Sequence, residues 1–80
     1  MSLLDQVTSN AAQAHQYDVN HVARSERELR AAAARLSSQE RQVSPTDLSL
    51  LESLVHQHLS ALRQAEGSAQ VLRYLGRVRP

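Results

Sequence analysis

Large apolar residues are sparse along this chain and fall in two blocks. In the second block Leu48, Leu51, Val55, Leu59 and Leu62 recur at spacings of three and four, which places them on one stripe of an α-helix. A neighbouring row of Leu50, Leu54, Ala61, Ala65 and Leu72 widens the apolar face to roughly half the cylinder, beyond the ~100° of an ordinary surface helix. A face that wide implies two contacts. In the first block Val22, Leu29, Leu36 and Val43 stand seven apart with Ala32 and Ala33 between them, a narrow coiled-coil-like stripe whose small residues admit a close neighbour.

The boundaries follow from capping chemistry. Ser44 is placed to cap, Pro45 to occupy the first helical position where its missing N–H costs nothing, and Asp47 to answer the first-turn N–H groups three residues after the cap. Asp18 or Asn20 opens the first helical pattern, which runs to about residue 41 through the alanine-rich LRAAAARL. Glu26 with Arg30 and Arg24 with Glu28 make i,i+4 pairs on its outer surface. Residues 42–44 then join two patterns of about 22 residues, each about 33 Å long at 1.5 Å per residue. Equal lengths and a short connection predict an antiparallel hairpin.

On this reading the seam of the hairpin is Val22, Leu29 and Leu36 against Leu51, Val55, Leu59 and Leu62. The row of Leu50, Leu54, His58, Ala61, Ala65 and Leu72 is left for a partner protein. Residues 1–17 read as a polar Ser-, Asn-, Gln- and Ala-rich tail, its order left open, and residues 18–80 as the hairpin. The phase of the apolar pattern changes at Gly67 and Ser68, so residues 67–80 read as a kinked extension or a short third helix, with helix two ending near residue 66.

Composition narrows the function classes. Eighty residues make one small domain. With no cysteine, neither a disulfide nor a thiolate metal site is available. No apolar run approaches the ~20 residues of a membrane span, and no secretory signal pattern is present, so the chain reads as cytoplasmic. A formal charge of +1 favours no class of partner.

Candidate chemistry is thin. His56 and His58 are two apart and point to opposite sides of a helix, so they do not chelate one metal. His56 falls on the polar side. His58 falls within the leucine face, as a packed histidine bonded to a neighbour, an interface residue or a site of chemistry. His15 and His21 would join a site only through tertiary packing. Neither a nucleophile elbow nor a glycine-rich phosphate loop occurs, and no enzyme, cofactor or metal is expected. Arg73, Arg77 and Arg79 beside Tyr74 suit a helix C-terminus, and they are the basis of one alternative, a small helical nucleic-acid-binding regulator.

The helix opening VSPTDLSLLESLVHQHLSAL, set in a small cysteine-free, Arg- and Leu-rich hairpin, resembles the needle-subunit co-chaperones of bacterial type III secretion systems over roughly residues 20–66. It is similar also to the needle and inner-rod subunits of those systems. The resemblance implies a bacterial cytoplasmic protein that buries its apolar face on a larger helical-repeat chaperone and helps keep a needle subunit monomeric. The subunit alternative implies self-assembly and export by a non-classical route. The terminus GRVRP lacks the apolar helix end of the needle subunits, and the segment after Gly67 is longer than in the co-chaperones.

Overall fold

The computed structural model describes residues 2–38 and 43–78, and it is an all-α antiparallel hairpin. Helix α1 spans Leu3–Ser37 and α2 spans Pro45–Val78, packed along their length into a rod of 61 × 14 × 14 Å.

The start of α2 has the predicted chemistry. The Asp47 backbone N–H donates to Ser44 Oγ at 3.2 Å, and the Ser44 N–H donates to Asp47 Oδ2 at 3.3 Å. Two first-turn donors are thereby satisfied reciprocally, with Pro45 at the first helical position. At the other side of the connection α1 closes at Ser38, whose N–H reaches the Ala34 carbonyl at 3.2 Å. Val43 and Ser44 are non-helical, while Gln42 and the last residues of the expected helix, 39–41, lie outside the described residues.

Both outer segments differ from the sequence expectation. Residues 3–17 are the first half of α1, not a tail. Ser2 caps that helix by accepting from the Asp5 N–H at 3.1 Å, and Thr8 Oγ1 donates to the Leu4 carbonyl at 2.8 Å. The second helix neither ends nor yields a third helix at Gly67, but continues to Val78. These two corrections have one cause. Residues 3–17 hold no glycine or proline to stop a helix, Gly67 alone does not end α2, and each half of the rod supplies the surface on which the other is held. Residues 4–15 pack against the far half of α2, and the extension of α2 packs against them; the His15 to Ser68 hydrogen bond, 2.7 Å, ties the two segments together.

The seam keeps an unbroken alternation of four and three. On α1 it runs through Leu4, Thr8, Ala11, His15, Asp18, Val22, Ser25, Leu29, Ala32 and Leu36, all buried or half-buried. On α2 it runs through Asp47, Leu51, Leu54, His58, Ala61, Ala65, Ser68, Leu72 and Leu75. A strict seven-residue repeat is 3.5 residues per turn, the period of a left-handed coiled coil. The apparent phase change at Gly67 follows from that period. A straight helix drifts by about 20° per heptad relative to a 3.5 repeat, so Leu75 looks displaced from Leu51 on a straight cylinder although both lie in one seam.

Small side chains dominate the closest contacts. Among the described residues Ala61 is the most buried at 1% exposure; Ala32, Leu36 and Leu75 complete the buried apolar set there, and Ser25 is the buried polar one. No large side chain is fully buried among the described residues.

Candidate protein-binding surface

Two histidine–serine pairs set the register. His58 Nδ1 lies 2.7 Å from Ser25 Oγ, and His15 Nδ1 lies 2.7 Å from Ser68 Oγ. Moving from His15 to Ser25 down α1 moves the partner from Ser68 to His58 up α2 by the same number of residues, so one antiparallel alignment satisfies both. In it Leu29 stands level with Leu54, Ala32 with Leu51, Val22 with Ala61 and Ala11 with Leu72. Three of these four layers set a larger residue against an alanine.

The direction of the protons follows from the hydroxyls. Ser25 Oγ donates to the Val22 carbonyl at 3.0 Å, and Ser68 Oγ donates to the Ala65 carbonyl at 3.1 Å. A hydroxyl has one proton to give, so with that proton on the carbonyl each serine accepts from a histidine protonated on Nδ1. In a nucleophile–base pair the serine proton points instead at the imidazole. The pairs act as polar layers in an apolar seam, each satisfied across the helix interface. His56 is exposed, as expected for the polar side. Among the described residues no group of three or more His, Cys, Asp or Glu is placed to hold a metal ion.

The two apolar rows of α2 exchange roles relative to the sequence reading. Of the row assigned to a partner, Leu54, His58, Ala61, Ala65 and Leu72 lie inside the hairpin seam, and only Leu50 is exposed. Of the residues assigned to the seam, Val22, Leu29, Leu36 and Leu51 lie in it, but Val55, Leu59 and Leu62 are 39%, 43% and 42% exposed. The reason is a competition between size and period. Choosing the most apolar stripe selects Leu59 and Leu62 over His58 and Ala61, whereas the heptad phase set along both helices selects the smaller and more polar residues. His15 and Ser25 were missed for the same reason: neither is apolar. Only their positions in an alternation of four and three with Val22 and Leu29 mark them as interior.

The outcome is a hairpin that keeps its largest aliphatic groups outside. Leu48, Val55, Leu59 and Leu62 lie on one flank of α2, with Glu52 between Leu48 and Val55, and Val19 lies on the same flank of α1. On the opposite flank, toward the chain termini, Val7, Val71 and Val78 are exposed in the same way. The Glu26–Arg30 pair forms at 2.8 Å on the outer surface of α1. No helix of the described residues is long and apolar enough to cross a membrane. Compared with protein-family models, with curated proteins and with solved structures, the chain shows no significant match to any of them.

Proposed function

We propose that this chain is a non-enzymatic protein-binding module that completes a helical bundle with another helical chain through the stripe of Leu48, Val55, Leu59 and Leu62. The observation that supports this reading is the inverted distribution of side chains: Ala, Ser, His and Asp occupy much of the seam while these four residues face outward. Burying a Leu or Val side chain stabilises by about 1.5–3 kcal/mol, and on this stripe that gain is collected only when another chain covers it. Contiguous apolar surface on a protein this small marks an interaction site more readily than scattered exposed leucines do.

The likeness of VSPTDLSLLESLVHQHLSAL to the type III secretion co-chaperones supplies a setting for this reading. In that setting the hairpin works in the bacterial cytoplasm beside a larger chaperone and a secretion subunit. The stripe supports the interaction, and the likeness alone supports the setting.

The test compares Leu59→Glu with the wild-type chain by circular dichroism and by quantitative co-purification from the source cells. The reading expects retained helicity and loss of a stoichiometric helical partner, whether a different protein or another copy. A wild-type chain that is stably folded, monomeric and unaccompanied would refute it.

A further inference from the structure

We propose that the exposed stripe is covered by a second copy of this chain, related by a two-fold axis parallel to the helices, so that two hairpins form a four-helix bundle. The inference rests on the binding-module reading and names the chain that fills it.

The first support is geometric. A two-fold axis parallel to the rod leaves the height of every residue unchanged. Helix α2 of one copy therefore meets α1 of the other in the register already set inside each hairpin by the His15–Ser68 and Ser25–His58 bonds. No sliding is available to improve or spoil the match. In that register the flank residues nearest in height are Ala23 of the second copy for Leu59, one residue from level, and Ala33, Glu26 and the exposed Val19 for Leu48, Val55 and Leu62, each two residues or about 3 Å from level. Leu59, Leu48 and Leu62 each meet a smaller apolar residue, the arrangement that interdigitates helices best, while Val55 lies beside Glu26, and the symmetry makes every contact occur twice.

Charge supplies the second support. Glu52, one heptad before Leu59, comes within one residue of level with Arg30 of the second copy. Arg30 holds Glu26 at 2.8 Å with its side chain 79% exposed, and a guanidinium has five N–H donors, so donors remain for a second carboxylate. A formal charge of +1 per chain leaves little repulsion between copies. The competing arrangement, with the two-fold axis across the helices at Leu59, lays leucine on leucine. It also sets Glu52 level with Glu66 of the second copy.

The test uses full-length chains, because the absence of native cysteine makes each introduced thiol diagnostic. Leu59→Cys and Ala23→Cys chains are mixed, oxidised and resolved by mass, while the wild type is followed by sedimentation equilibrium. The proposal predicts a wild-type dimer and a disulfide joining the two different variants well in excess of either self-disulfide. Glu52→Arg should weaken the dimer by about tenfold, because the pair occurs twice, and Arg30→Glu in the same chain should restore most of that loss. Preferential self-disulfides of Leu59→Cys would overturn the proposed symmetry. A wild-type monomer that melts at low temperature would overturn the second copy as the occupant and leave the binding-module reading standing. A stably folded monomer would overturn both.

Discussion

His58 Nδ1 and Ser25 Oγ are hydrogen-bonded across the hairpin at 2.7 Å, and Ser25 Oγ also bonds the Val22 carbonyl at 3.0 Å. A histidine that the sequence sets among leucines is thus a polar layer of the intramolecular seam, and its position shows which side of α2 faces inward. Because Ser25 is buried and His58 half-buried, the bond is shielded from solvent competition.

The pair should behave as a coupled unit. Ser25→Ala removes the acceptor of His58 and should cost about 1 kcal/mol or somewhat more in urea denaturation. His58→Leu leaves the Ser25 hydroxyl bonded to Val22, so it should be close to neutral or stabilising. In the double variant the penalty of Ser25→Ala should largely vanish. Strict additivity of the two substitutions would show that the hydrogen bond contributes nothing.

The first half of α1 offers a sharper contrast. Ala12→Pro removes an interior helix hydrogen bond and should cost about 3 kcal/mol, with loss of ellipticity over the N-terminal turns and lowered stability of the partner segment around Ser68. An N-terminal segment without structure would absorb the change silently, and an unchanged melting curve would contradict the long helix.

Gly67 sits within α2, has no positive φ, and a Cβ built on it meets nothing within 4 Å. Gly67→Ala should therefore stabilise by about 0.5–1 kcal/mol, through higher helix propensity and a less flexible unfolded chain. A fall in melting temperature would indicate that the helix bends there and needs the glycine.

Several features were legible in the residues themselves. The hairpin followed from two helical patterns and a short connection, and the start of α2 from Ser44, Pro45 and Asp47, because capping is local chemistry. The inward phase of α1 was visible in Val22, Leu29 and Leu36. The inward phase of α2 was not, because a few residues at 3.6 per turn and a heptad at 3.5 select neighbouring stripes, and hydrophobicity favoured the outer one. The helical state of residues 3–17 was equally hidden, since it depends on the far half of α2 continuing beyond Gly67. Each of these misreadings belongs to tertiary pairing, which no local window contains.

A pair of charge substitutions tests the exchange of rows on α2 most directly. Leu54 is level with Leu29 inside the seam, whereas Leu59 lies on the exposed stripe. Circular dichroism with thermal melting of Leu54→Glu and Leu59→Glu at one low concentration separates the two positions. Leu54→Glu should collapse helicity by forcing an unpaired charge into the seam. Leu59→Glu should keep a wild-type spectrum at low temperature, with its defect confined to association. Retained folding in Leu54→Glu together with collapse of monomeric Leu59→Glu would contradict the exchange, and would return Val55, Leu59 and Leu62 to the interior.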